Sequence, residues 1–207
     1  ALSVSKVYSM LDAEAVRLLN NTTETRMDAL NADAGRLVES MADETDQLTG
    51  LLLALADRYE SSPEDIYQND GAYEESALLA SSSLISIMEN YDVTGAFFVL
   101  NGSNSNKENT SAHSAVYIRD TTPEVDTSGT KNYLLEVGPT RVSKDHQIAT
   151  SIHWNLDMTF PRSEEATRFY TKPIWAARQE KHAEIERLGY WTAPTDLLGD
   201  NQQVICY

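Results

Sequence analysis

Residues 4–58 carry one apolar seam at helical spacing, and any fold of this chain has to accommodate it. Val4, Val7, Leu11, Ala15, Leu18 and Thr22 lead on to Met27, Leu30, Ala34, Leu37, Met41, Leu48, Leu51 and Leu55. The steps are mostly three and four, as on a helix that buries a single narrow stripe. No proline interrupts the stretch, and its only glycines are Gly35 and Gly50. At 1.5 Å of rise per residue such a helix is roughly 80 Å long, whereas helices of compact domains average about 11–12 residues. The expectation is a stalk helix over residues 1–60, with one end packed on a globular lobe at 61–207 and the other running away from it.

The chain has 207 residues, room for one domain of ordinary size or for a domain plus an extension. Its 41% hydrophobic and 23% charged residues are close to globular averages. A net charge of -16 argues against nucleic acid or an anionic membrane surface as a partner, since both repel it. Cys206 is the single cysteine, so neither an internal disulfide nor a four-cysteine metal site can form. No apolar run approaches the roughly 20 residues that span a bilayer. The chain opens without Met, already on the seam, and closes on the apolar run Val204-Ile205-Cys206-Tyr207. That pattern reads as an excised fragment, with a membrane anchor expected before Ala1 and more sheet after Tyr207.

Taken in order, Ser61-Ser62-Pro63-Glu64-Asp65 stops the long helix near Glu60 and restarts a short one through Tyr67. Asn69-Asp70-Gly71 is a turn, and Glu74–Tyr91 reads as a helix with Leu78, Leu79, Leu84, Ile85 and Met88 on its apolar face. The period then switches to two. Gly95–Leu100 and Ala115–Arg119 read as a strand pair with a long polar tip. Residues 124–165 show no firm period, and so long a connection points to a functional or poorly ordered loop. A helix start is expected at Ser163-Glu164-Glu165, a third strand at Leu188–Trp191, a turn at Asp200-Asn201, and a fourth strand at Gln203–Tyr207.

The later motifs carry a resemblance. A helix bearing Phe169-Tyr170-Thr171-Lys172-Pro173-Ile174-Trp175 precedes Gly189-Tyr190-Trp191-Thr192-Ala193-Pro194, which in turn precedes Val204-Ile205-Cys206-Tyr207. Together with Leu11-Asp12-Ala13-Glu14-Ala15 on the long helix, this resembles the membrane-distal half of a double Cache domain. That family comprises the PAS-like extracellular sensors of bacterial transmembrane receptors. The motifs are short and degenerate, although the likeness runs along nearly the whole chain. It implies an α+β fold: a long N-terminal helix carrying a lobe with a central antiparallel sheet flanked by helices. It further implies an extracytoplasmic location and a small ligand held between the sheet and the layer covering it. The output domain would be a histidine kinase, a cyclic-dinucleotide enzyme or a chemotaxis module lying outside this chain.

Residues 168–207 concentrate Phe169, Tyr170, Trp175, Tyr190, Trp191 and Tyr207 in a chain that is 8% aromatic, as ligand sites do. Tyr170 and Ile174 share a helix face. Tyr117 and Arg119 share a strand face, opposite Val116 and Ile118. Arg119 beside aromatic rings suits a bidentate clamp on a carboxylate, and Asp196 suits an ammonium, a pair of groups that fits an amino acid. The resemblance places Tyr117, Arg119, Tyr170, Trp175, Trp191 and Asp196 at ligand-lining positions. The amino-acid-binding subfamily, however, follows an Arg closely with Trp-Tyr on the helix, whereas here Arg168 precedes Phe169-Tyr170 and Trp175 lies beyond.

Plainer readings stand beside these. Trp175 and Trp191 read equally well as core, Asp196 as a turn cap, and Arg119-Asp120 as a surface pair worth under about 1 kcal/mol. Cys206 reads as an inert buried thiol. His113, His146, His153 and His182 do not cluster, so no metal and no cofactor is expected. Asp145-His146, or His153 with Ser151, is the nearest approach to a hydrolase set, and no catalytic motif surrounds either. An enzyme is therefore not expected. The apolar positions of Val4–Thr22 have no visible partner within the chain, so a homodimer through the long helix is expected. A structural or adhesive coiled-coil protein is the alternative reading.

Overall fold

The structure, a computed structural model, describes residues 4–100, 112–123, 129–160, 168–179, 191–196 and 203–206. The fold is α+β, with a long N-terminal helix and a mixed five-stranded sheet flanked by helices. The chain divides into two compact units, Ala1–Ser40 and Met41–Tyr207.

Helix α1 runs unbroken over Val4–Arg58, a total of 55 residues. In the first unit, residues 14–33 are exposed on every side, and the seam residues Leu18, Met27 and Leu30 are 56%, 56% and 68% exposed. At its far end, within the second unit, α1 stops without a glycine. Glu60 takes the left-handed conformation at φ 51°, and the backbone N–H of Ser61 donates to the Ala56 carbonyl at 2.9 Å. This is the wrap that closes helices whose last carbonyls need donors. A 3₁₀ turn, Pro63–Gln68, follows. Ile66 and Ala72 pack there on Ala56, while Arg58 and Tyr59 reach Glu75 at 2.5 and 3.2 Å.

Helix α2, Asp70–Asn90, starts under a side-chain cap in which Asn69 accepts from the Ala72 backbone N–H at 3.1 Å. Its buried face includes Ser76, Ala77, Ala80 and Ser81 as well as Tyr73, Leu84 and Met88. The face read from the sequence was the larger residues alone; the small ones let the helix lie close on the sheet.

The sheet is built on β2. Strands β1 (Gly95–Val99) and β2 (Ala112–Asp120) pair antiparallel with Gly95 opposite Arg119. On the other edge of β2 lie β3 (Tyr133–Val137) and, beside Ala112–Ser114, β5 (Asp157–Thr159), both antiparallel. Helix α3 (Thr140–His146) carries the chain from β3 to β4 (Ala149–Asn155), which runs parallel to β3. The sheet is thus mixed where the resemblance implied antiparallel strands throughout. Residues 129–160, read as a connection without period, supply three strands and a helix. Helix α4, Arg168–Gln179, holds Pro173 in its interior. A separate antiparallel pair joins β6 (Thr195–Asp196) to β7 (Gln203–Val204). The expected helix start at 163–165, most of the expected strand at 188–191 and the turn at 200–201 lie outside the described residues. Trp191 itself lies outside any strand.

Candidate functional site

Alternation along β2 decides which side chains meet. Val116 and Ile118 face α2 and pack with Leu84, Met88, Leu135 and Val142. Ala115 and Tyr117 face the other way and pack with Val137, Met158, Phe160, Phe169 and Cys206. By the same period of two, His113 and Arg119 stand on the Tyr117 face, at opposite ends of it.

At one end of this face Arg119 forms an ion pair with Glu136 on β3, and their side chains are 20% and 2% exposed. A register shift in the β2–β3 ladder falls at this point: Tyr117 pairs with Val137 and Ile118 with Leu135. Glu136 is the extra residue of that bulge. It stands on the same face as Val137, beside Arg119, as bulges re-aim side chains. Tyr117 leans across β1 onto Gly95, where an added Cβ would stand 3.0 Å from Tyr117 Cε2 and 3.2 Å from its hydroxyl.

At the other end the face is aromatic. His113 lies 4.9 Å, ring centre to ring centre, from both Phe160 and Tyr170. The Tyr170 hydroxyl is 3.4 Å from His113 Nδ1. Phe169 meets Phe97 and Phe160 edge-on at 5.5 and 5.3 Å. These contacts hold α4 against the sheet. Burial pushes the Tyr170 phenol above its ordinary pKa, against the opposing charge of Arg178. It also raises the Cys206 thiol, which a hydrogen bond with Thr192 partly offsets. Cys206 is a buried free thiol, as the apolar run around it suggested.

The structure therefore brings Tyr117, Arg119 and Tyr170 onto one sheet face. Trp175 and Trp191 are 64% and 48% exposed, so neither is core. Asp196 lies on β6 with its backbone paired to Gln203, and its side chain is outside the described residues. Glu136 and His113 were not singled out as members of this site. Nothing local marks Glu136, a lone acid in the apolar run Tyr133-Leu-Leu-Glu-Val137. His113 carried a signal, standing two residues from Ala115 and four from Tyr117 on the same strand face. Among the described residues no three His, Cys, Asp or Glu side chains are placed to hold a metal ion. Of the nearest hydrolase sets, His146 Nε2 meets the fully buried Ser81 at 2.8 Å, while Ser151 accepts from the backbone N–H of His153 at 3.2 Å.

No known family model matches this chain. Nor does any curated protein or solved structure match significantly.

Proposed function

We propose that this chain is an extracytoplasmic ligand-binding sensor region of a bacterial transmembrane signalling receptor. It takes a small molecule on the β2 face that carries Tyr117 and Arg119, and it performs no catalysis itself. The observation that carries this reading is the Arg119–Glu136 pair, set at the end of an otherwise apolar and aromatic face. Small-ligand sites have this composition: an apolar wall with a few polar groups that fix orientation. The long helix and the α+β lobe agree with the double Cache resemblance drawn from the motifs. The ligand would be an amino acid, a carboxylate or a similar small molecule. Binding would select one of two packings of α4 on the sheet, which needs only a difference in affinity between them. The signal would leave along α1, whose residues from Met41 onward belong to the same compact unit as the sheet. No helix among the described residues is long and apolar enough to cross a membrane, and the anchor and output domain would lie elsewhere in the receptor.

Thermal-shift screening against amino acids, carboxylates, purines and polyamines tests the reading. A ligand at 100 times its Kd adds about 2.7 kcal/mol of stability. Arg119→Ala, combined with Glu136→Gln so that no buried charge is left alone, and Trp191→Ala should each remove the shift while the fold persists. A screen with no hit sinks the sensor reading, and a shift retained by both variants shows that the site lies elsewhere.

One observation favours a second reading. Leu18, Leu19, Met27 and Leu30 are all more than half exposed on α1, as in a helix made to pair with a second copy. A structural or adhesive coiled-coil protein would need nothing more. Strong dimerisation by the chain, with no ligand found, would favour it.

A further inference from the structure

We infer that two copies of this chain pair through the outward face of α4 in one copy and an acidic stripe of α1 in the other, the two helices antiparallel. The inference stands apart from the ligand reading, and its test needs no ligand. Helix α4 turns Phe169 and Tyr170 to the sheet. Its opposite face carries Arg168, Lys172, Trp175 and Arg178, all exposed, with Trp175 at 64%. Among the described residues Arg168 and Arg178 hold no ion pair, although acids outnumber lysines and arginines 32 to 16. Exposed tryptophan set among arginines is the composition of an interface hot spot.

The stripe on α1 is Asp43, Asp46, Gly50, Leu53 and Asp57, at steps of three and four and so on one helix face. All five are exposed, on the side away from the buried Leu55 and Ala56. Its three acids likewise hold no ion pair among the described residues. Glycine weakens a helix interior relative to alanine, and nothing in the chain uses the space it leaves: a Cβ added at Gly50 meets no atom within 4 Å. In the pair that space takes the Trp175 indole. Arg168 precedes Trp175 by as many residues as Asp57 follows Gly50, roughly 10 Å along either axis. Arg178 follows Trp175, and Asp46 precedes Gly50, by roughly 5 to 6 Å. With the indole on the partner's Gly50, Arg168 therefore meets the partner's Asp57 and Arg178 the partner's Asp46. A net charge of -16 sets copies against one another, so a contact between them has to match charge locally, as this one does. Both faces belong to the compact unit Met41–Tyr207. Under a two-fold axis the contact occurs twice, each copy giving one α4 and one α1.

Sedimentation equilibrium of the whole chain, with charge-reversed variants, tests this. The wild type should dimerise reversibly. Arg168→Glu with Arg178→Glu should weaken the dimer at least tenfold. So should Gly50→Gln, which fills the space for the indole while favouring helix. Adding Asp46→Arg and Asp57→Arg to the doubly reversed chain should restore the wild-type affinity. The substituted side chains are exposed, and an unchanged circular-dichroism spectrum is the control for folding. A monomeric wild type overturns the inference. So does a dimer indifferent to these variants, the result expected of pairing through Val4–Thr22 alone, and so does a failure of the second pair of changes to rescue the first. Should the reversed chain not fold, Gly50→Gln still decides.

Discussion

The Tyr117 ring leans onto Gly95 of the neighbouring strand, so that a Cβ added there would stand 3.0 Å from its Cε2 atom and the ring would have to give way. A Cβ at Gly95 would also stand 3.0 Å from the Ile118 carbonyl oxygen, a backbone atom that cannot swing aside. Gly95→Ala should therefore cost about 1–3 kcal/mol, as overpacking of a tight interior does. Urea unfolding reads this directly, and a wild-type midpoint in the variant would show that Tyr117 has another resting place. The same variant should weaken any ligand that uses the Tyr117 hydroxyl.

Phe169 and Trp175 lie on the same helix and should behave in opposite ways. Phe169 is 7% exposed and meets Phe97 and Phe160 edge-on, whereas Trp175 is 64% exposed. Phe169→Ala should cost about 3–5 kcal/mol and loosen α4, seen as faster amide exchange over that helix. Trp175→Ala should change stability by no more than about 0.5 kcal/mol. Comparable losses in the two variants would mean that α4 packs by a different face.

Ser81 and His146 join α2 to α3. Ser81 Oγ donates its one proton to the Leu78 carbonyl at 2.9 Å, so His146 Nε2 must be the donor in their 2.8 Å contact. A double-mutant cycle of Ser81→Ala and His146→Ala should give a coupling of about 0.5–1.5 kcal/mol. Strict additivity of the two would count against it.

Asp120 supplies the pH dependence. Burial alone would raise its pKa, but the hydroxyl and backbone N–H of Thr122, with Lys131, outweigh that and hold the carboxyl below its ordinary 3.8. A folded value below the unfolded one gives stability that is present above the ordinary carboxyl range and lost as pH falls through the folded value. Lys131, raised by Asp120, contributes below its ordinary 10.5 and loses that contribution as pH rises through the folded value. Asp120→Asn should lower the urea midpoint near neutral pH, with the gap to wild type closing as pH falls below 3.8. The effect is small, because solvent screens the pair. A gap that stays constant into strong acid would assign the loss to something other than charge.

Elements with a regular period were legible in the chain: α1, α2 and the β1–β2 pair. So was the shared face of Tyr117 and Arg119. The region after β2 was not, for identifiable reasons. Strand β3 is apolar along most of its length because it sits inside the sheet, so it shows no alternation. Strand β4 reverses the usual pattern, with Ser151 buried and Ile152 94% exposed beside the irregular β3–β4 register. Helix α3 is 7 residues long and ends at Gln147, whose φ of 55° is the kind normally met by glycine. Glu136 meets Arg119 through a bulge between two successive strands, a relation no local window contains. Aromatic density alone does not say which side of a helix meets the sheet, and the core reading of Trp175 fails because it is 64% exposed.

Strand β2 takes β1 from the chain before it and β3 and β5 from the chain after it. Chains are made from the amino end, and domains fold as they emerge. One edge of Ala112–Ser114 therefore waits for Asp157–Thr159, while all of β3, α3 and β4 are still being synthesised. A nascent chain stalled in that interval offers a bare strand edge to whatever lies near it. Completion of this edge is thus tied to the arrival of residues more than forty positions downstream.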